Sequence, residues 1–241
     1  MMLQPGELLR EGRTKRVFAT DDPTRAIVYF KDEAIAYDGL KRGRILGKGE
    51  VNNAVCRTIF TLLEQNGVKT HYVEQLDARQ SLIRRCEMIP IVIKVRNRVA
   101  WSLARRTNLP MGQKLDPTVV ECVYKTYDLE SQPLLNISHI LAMKLATREE
   151  MDYIVDTALR INEVLTAYLK DINIELVDFK MEFGRYDGQI LLADEISPDT
   201  ARFWDAGTHE SMDIDRFKRD LGNAEQAYQE ILKRMMGLEE N

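Results

Sequence analysis

Acidic and basic side chains alternate with apolar ones along the segment "LVDFKMEFG". A period of two is the signature of a β-strand, so alternate residues are predicted to share one strand face. That face carries Leu176, Asp178, Lys180 and Glu182. The following "RYDGQ" contains an Asp-Gly turn signal, and the returning strand "ILLAD" brings Asp194 beside the first strand. Converging carboxylates beside a lysine indicate a divalent-metal and phosphate site, and a solvated strand face is the alternative.

Two basic, glycine-containing segments lie upstream. In "EGRTKR", Arg13 and Lys15 share one face of a predicted hairpin and could clamp phosphate oxygens. In "GRILGKGEVNN", glycines precede a predicted helix, an arrangement that favours anion binding. The GxxxxGK[ST] spacing of a Walker loop is absent from it. A basic hairpin is also typical of a solvated sheet edge, so both interpretations stay open for these segments taken alone.

A cationic segment and an acidic segment complete the set. "KVRNRVAWSLARR" forms a local positive patch with a single aromatic residue, which suits a phosphorylated small substrate better than nucleic acid. "DEISPDTARFWD" concentrates acids around a proline, and such a turn needs a cation or hydrogen bonds as balance. Phosphoryl chemistry uses both kinds of segment, because carboxylates hold Mg²⁺ while Lys and Arg neutralise phosphate charge.

The bulk composition limits the class of protein. The chain has 241 residues with 44% apolar and 30% charged residues, as in ordinary globular proteins. A net charge of -4 argues against general nucleic-acid binding and predicts no such partner. The N-terminus lacks an apolar signal core and no long apolar run occurs, so we expect a cytoplasmic protein without a membrane partner. Cysteines without a CxxC motif are predicted free thiols, and scattered histidines give zinc little support.

The elements that position these residues are of mixed type. Residues 8–38 carry β-branched and aromatic residues around a turn and are predicted as strands. Amphipathic helices are predicted over 52–67, 149–170 and about 213–236. Strands dominate the first part of the chain, and helices mix with strands afterwards. The pattern predicts an α+β protein of two lobes with a cleft between them.

The chain resembles the SAICAR synthetase family over nearly its whole length. The resemblance is carried by "GKGEVNN", "IPIVIKVRN", "SLARR", "LVDFKMEFG" and "DEISPDTARFWD", in the family's order and spacing. It implies a ligase that uses ATP and Mg²⁺ to join a carboxyaminoimidazole ribotide to L-aspartate in purine biosynthesis. It also implies an ATP cleft between a mainly antiparallel N-terminal lobe, 1–90, and a larger α+β C-terminal lobe, 91–241. The family often forms homo-oligomers.

The resemblance assigns roles residue by residue. The implied catalytic residues are Asp178, Lys180 and Lys125, and the implied Mg²⁺ ligands are Glu182 and Asp194. The nucleotide would contact Arg13, Lys15, Arg84, Arg85 and Met88. The phosphorylated substrate would contact Arg96, Ser102, Asp199 and Arg202.

Several positions depart from the family pattern, mostly in the substrate half. Val92 replaces Glu, Trp101 replaces a small Gly, Gln132 replaces Asp and Ile214 replaces Lys. A tryptophan adds a large volume beside the expected phosphate loop. Two hypotheses therefore stand beside each other: the family reaction, or a paralogue that applies the same ATP chemistry to another carboxylate or amine, as in nucleoside-like natural-product biosynthesis. A non-catalytic nucleotide-binding protein is a third.

Overall fold

Two antiparallel sheets organise the protein. The structure, a computed structural model, describes residues 4–36, 39–125 and 132–237. Its first strands are β1 (Leu8–Glu11), β2 (Lys15–Ala19), β3 (Arg25–Phe30), β4 (Glu33–Ala36), β5 (Lys41–Arg44), β6 (Tyr72–Gln75) and β7 (Gln80–Arg84). The first sheet has the order β1-β2-β3-β7-β6, and β4 and β5 form a separate hairpin.

The second sheet takes all later strands. These are β8 (Glu87–Arg98), β9 (Lys114–Tyr124), β10 (Leu134–Leu135), β11 (Ile174–Tyr186), β12 (Gln189–Ala193) and β13 (Ala201–Asp205). Their order is β10-β9-β8-β11-β12, and β13 also pairs with β11. The chain passes between sheets at 85–86, whereas a lobe boundary after residue 90 stays a sequence-based prediction.

Helices cover these sheets and confirm the α+β class. They are α1 (Lys48–Gln65), α2 (Ser102–Thr107), α3 (Ile137–Ala142), α4 (Arg148–Asp171), α5 (Asp215–Lys218) and α6 (Ala224–Met236). The helix predicted over 149–170 is confirmed as α4, where Thr147 and Glu150 form a capping box at its start. Among helices of the described residues, none is both long and apolar enough to cross a membrane.

Helix α1 begins earlier than the sequence pattern predicted. It starts at Lys48 because Gly47 adopts φ +77, a left-handed conformation that ends the preceding loop. Gly49 in the first turn lies against β3, and a Cβ there would stand 2.4 Å from the main-chain oxygen of Phe30. A glycine is therefore needed for α1 to pack this closely on the first sheet.

The prediction of a single helix over about 213–236 is wrong. The structure has the short α5 and the longer α6, separated by residues with positive φ, namely Asp220, Gly222 and Asn223. A run of left-handed conformations cannot continue a right-handed helix. The apolar periodicity was correct for α6, which buries Tyr228 and Ile231, but it was extended too far towards the N-terminus.

The predicted hairpin of acidic residues is confirmed as β11 and β12. Asp187 and Gly188 connect the strands with φ values of +48 and +69, as a type I′ turn requires. The predicted face is interrupted at one point. Leu176 is buried with the apolar residues because the pairing with β13 shifts register between Leu176 and Asp178.

One hydrophobic cluster runs through both sheets and the helices that cover them. It includes Phe30 of β3, Val55 of α1, Ile93 of β8, Leu165 of α4 and Phe179 of β11. The apolar face of β11 packs against α4, so the opposite face of β11 is left for polar side chains.

Candidate active site

Glu182 and Asp194 meet at the end of the β11–β12 hairpin. Glu182 pairs with Ala193 across the two strands, and Asp194 follows Ala193 directly. Each carboxylate forms an ion pair with a lysine: Lys15 Nζ lies 2.5 Å from Asp194 Oδ1, and Lys125 Nζ contacts Glu182 Oε2. The structure thus brings both acids predicted as metal ligands together with two lysines predicted in the site.

The two carboxylates differ in how readily they are protonated. Burial, reinforced by the charge of Asp194, raises the pKa of Glu182, and Lys125 opposes the rise. Burial also acts to raise the pKa of Asp194, but Lys15 and Lys125 outweigh it and hold that pKa well below its usual range. The pKa of Lys15 is raised despite its burial because Asp194 and Glu195 attract the charge. Asp194 and Lys15 therefore stay ionised around neutral pH.

Glu195 is a buried acid that the sequence reasoning did not assign to the site. It is 1% exposed, and its Oε1 lies 3.1 Å from Lys15 Nζ. The hydroxyl groups of Thr14 and Ser197 donate to its two carboxylate oxygens at 3.2 and 2.7 Å. Lys15 therefore bridges Asp194 and Glu195, which explains how the acid-rich turn is balanced. The adjacent acids of "DEISPD" were the only signal in the sequence.

His71 supports the backbone of Asp194. The main-chain oxygen of Asp194 lies 3.0 Å from His71 Nε2 and can only accept, so the imidazole carries its proton on Nε2. Asp194 has a φ of +61, which is uncommon for a residue with a side chain. Burial, then the charge of Lys15, lowers the pKa of His71 to about 4, so the ring is neutral at pH 7.

Asp178 lies between two arginines at the other end of the polar face. Arg96 Nη1 donates to Asp178 Oδ2 at 2.8 Å, and Arg202 Nη1 donates to Oδ1 at 2.7 Å. Arg96 Nη2 also donates to Ser102 Oγ at 3.3 Å, at the start of α2. We call these four residues the arginine clamp. All four were predicted in the site, and in the structure Asp178 orients both guanidinium groups.

Asp199, predicted to contact substrate, lies in a buried ion pair. Lys48 Nζ is 2.5 Å from Asp199 Oδ2, and their side chains are 0% and 3% exposed. The Tyr228 hydroxyl donates to Asp199 Oδ1 at 2.6 Å. Both carboxylate oxygens are therefore engaged inside the protein, where they join α1 and α6 to the turn that follows Glu195.

The other residues predicted on the nucleotide side line the first sheet and its exit. Arg13 is exposed in the turn between β1 and β2, and Arg85 is exposed just after β7. Arg84 Nη1 donates to two main-chain oxygens near the start of β6, at 3.0 and 2.9 Å. Met88 is half-buried near the start of β8.

The positions that depart from the family pattern occupy different environments. Val92 is 4% exposed and stands directly opposite Glu182, and Ile214 packs into the hydrophobic cluster at 7% exposure. Gln132 is exposed. Trp101 precedes α2 with a φ of +34, and the guanidinium group of Arg219 stacks on its ring. The side chains at positions 92 and 214 are therefore uncharged and buried. A charged side chain without a partner would be costly at either position.

The acid pair suits a Mg²⁺ ion that is shared with phosphates. Mg²⁺ commonly takes one or two carboxylates and completes its octahedron with water and phosphate oxygens. Among residues 4–36, 39–125 and 132–237, no group of three or more His, Cys, Asp or Glu side chains is arranged to hold a metal alone. Glu182 and Asp194 fit the first arrangement, since their mutual repulsion is what a cation would relieve.

Comparison with known proteins agrees with this fold. The sequence profile described as SAICAR synthetase matches residues 8–235. The phosphoribosylaminoimidazole-succinocarboxamide synthase of Coprothermobacter proteolyticus is 54% identical over 95% of this chain and 97% of its own. That of Clostridium beijerinckii is 50% identical over 95% and 97%. The chain belongs to the SAICAR synthetase family.

Solved structures extend the similarity to three dimensions. A SAICAR synthetase in complex with ADP has a TM-score of 0.93 at 41% identity, covering 98% of this chain and 100% of that one. The synthase from Ehrlichia chaffeensis also has a TM-score of 0.93, at 34% identity, covering 97% and 100%. The SAICAR synthetase-like fold predicted from the sequence is therefore confirmed.

Proposed function

We propose that this protein is an ATP-dependent amide-forming ligase that joins a carboxyaminoimidazole ribotide to L-aspartate and releases ADP and phosphate. One observation carries the proposal: Glu182, Asp194 and Lys15 converge at one end of a polar sheet face whose other end holds the arginine clamp. The synthase names of the relatives and the ADP complex of one of them support it. A ligase of this kind would serve purine biosynthesis.

The reaction needs an activated carboxylate. A carboxylate oxygen of the ribotide attacks the γ-phosphorus of ATP, the bond to the bridging oxygen breaks, and ADP leaves. The aspartate amine then attacks the acyl carbon, loses a proton and expels phosphate, which leaves the amide. Most of the protein's contribution is to place these groups and to neutralise charge during phosphoryl transfer.

Residues at the acid end would handle the nucleotide phosphates. Glu182 and Asp194 would hold Mg²⁺, which neutralises phosphate charge when it is bound. Lys15, already fixed by Asp194, would contact a phosphate oxygen, and Lys125 and Lys180 would offset charge on the carboxylate under attack. In this proposal the adenosine half lies along the first sheet and its exit, near Arg13, Arg84, Arg85 and Met88.

The arginine clamp would define the ribotide end. Because Asp178 orients both arginines, they present a preorganised pair of donors for a phosphate group, with the Ser102 hydroxyl beside them. Asp199 would act indirectly, through the ion pair with Lys48 that fixes the turn before Arg202.

Replacing the acids tests the metal assignment. Glu182→Gln and Asp194→Asn keep side-chain size but remove charge, so each should abolish ATP- and substrate-dependent ADP release. The control is Glu74→Gln, an exposed acid on β6. Both variants retaining most of the turnover would contradict the assignment of these two ligands.

Assay of the wild-type protein with the ribotide, aspartate and ATP tests the reaction itself. Formation of the succinocarboxamide would exclude the altered-substrate paralogue and the non-catalytic protein. ATP binding without turnover across a panel of carboxylates and amines would instead favour the non-catalytic hypothesis. The cytoplasmic location and homo-oligomer formation stay predictions.

A further inference from the structure

The polar face of the second sheet is built from directly opposed pairs. Glu182, Lys180 and Asp178 of β11 stand opposite Val92, Lys94 and Arg96 of β8, in that order. Side chains of such pairs lie on the same face of a sheet. Successive pairs on this face are two residues apart, about 7 Å along the strand. Along the strands, the face therefore has acids at one end, a pair of lysines in the middle and the arginine clamp at the other end.

Lys94 has no counter-ion on this face. Its other cross-strand neighbour is Glu121 of β9, but that carboxylate accepts from Arg96 Nε at 2.8 Å and also contacts Arg106. Among the described residues, no carboxylate oxygen lies within 4.0 Å of Nζ of Lys94 or Lys180. The nearby acids are thus committed to other cations, and the lysine pair carries uncompensated positive charge.

The electrostatic environment of Lys94 agrees with this geometry. Burial, then Arg96 and Lys180, lowers its pKa to about 8, and the more distant acids Glu121 and Asp178 do not reverse the shift. A half-buried ammonium group beside like charges is costly unless an anion joins it. A negatively charged ligand group bound beside Lys94 and Lys180 would therefore be stabilised.

We propose that Lys94 is a specificity-determining residue that, together with Lys180, recognises the carboxylate of the phosphorylated substrate. The inference rests on the proposed function. A ribotide whose phosphate is held by the arginine clamp must cross the lysine pair before it reaches the acids that would organise ATP. Its carboxylate would otherwise approach Glu182 and Asp194, which repel it. The lysine pair offsets that repulsion and favours the ionised carboxylate that must attack phosphorus.

The test measures binding of two ribotides by calorimetry: the carboxyaminoimidazole ribotide and the matching ribotide that lacks the carboxylate. The variant Lys94→Met keeps chain length without charge. We expect it to bind the carboxylated ribotide about tenfold more weakly, the usual scale for a hydrogen bond between charged groups, and the other ribotide as the wild type does. Lys94→Arg should keep most of the preference.

Two controls separate recognition from general effects. Lys114→Met removes an exposed cation at the far end of β9 and should leave both affinities unchanged. The thermal midpoint of Lys94→Met without ligand should stay level or rise, because the change removes a repelled, half-buried charge.

Two results would overturn the inference: equal weakening of both ribotides, or no weakening of either. Failure of the proposed function looks different. In that case the wild-type protein itself binds neither ribotide and forms no product, whatever residue stands at position 94.

Discussion

Removing the buried cation Lys48 should destabilise the protein strongly. Lys48→Met keeps the side-chain length but removes the ion-pair partner of Asp199, which is 3% exposed and keeps the Tyr228 hydroxyl as a hydrogen-bond donor. Breaking a buried pair by removing one partner typically costs about 3–5 kcal/mol, because the remaining charge is uncompensated. A loss of that size is a large part of the roughly 5–15 kcal/mol that stabilises a domain.

A second substitution isolates the cause. In Lys48→Met/Asp199→Asn the amide oxygen can still accept from Tyr228, while neither position carries a charge. We expect urea unfolding to show the double variant recovering most of the free energy lost by Lys48→Met. Tyr228→Phe alone should cost less than the lysine change, about 1.5–3 kcal/mol, because it removes one hydrogen bond to a charged group and leaves the ion pair.

The pH dependence gives an independent measurement. In the wild type Lys48 helps to hold the pKa of Asp199 below its usual value, although burial acts to raise it. Without Lys48, burial should raise that pKa above its wild-type value, although Tyr228 and Lys218 still act to lower it. The folded variant then binds more protons than the folded wild type, so its stability relative to wild type falls as pH rises through this range. A single variant within about 1 kcal/mol of wild type, or a double variant less stable than the single, would refute this reasoning.

Two further predictions concern other buried groups. Burial, then Asp215, raises the pKa of Asp213 from 3.8 to about 7, so the folded state binds more protons in that window and stability should fall as pH rises through it. Asp213→Asn should flatten this fall in urea titrations, and an unchanged slope would contradict it. His71→Leu removes the donor to the Asp194 backbone and should weaken Mg²⁺-dependent ADP binding several-fold in calorimetry, whereas His71→Gln should retain more affinity.

Local sequence patterns predicted the main elements of the site. Period-two alternation and the Asp-Gly turn were enough for the β11–β12 hairpin, because both signals depend only on neighbouring residues. They could not predict the register shift that buries Leu176, since it arises from pairing with β13. The sequence also did not predict the break between α5 and α6. The left-handed conformation of Asn223 leaves no trace in the spacing of apolar residues.

Contacts between residues distant in sequence could not be predicted from local patterns. The sequence places Lys48 in an anion-friendly loop, but its partner Asp199 is 151 residues away, in the turn before β13, and meets it only in the folded protein. Glu195 was visible as an acid, yet its burial against Lys15 needed the first sheet to be placed. The sequence shows Lys94 only as part of a basic segment, and the strand register is needed to place it opposite Lys180.

The hydrophobic cluster that crosses both sheets limits how the enzyme can open during turnover. Prying the sheets apart as rigid bodies would expose side chains such as Phe30 and Val55, at about 1.5–3 kcal/mol for each large apolar group. Several such groups together make wide hinge opening a rare event. Ligands should therefore enter and leave by movement of small peripheral segments, and product release would be gated locally.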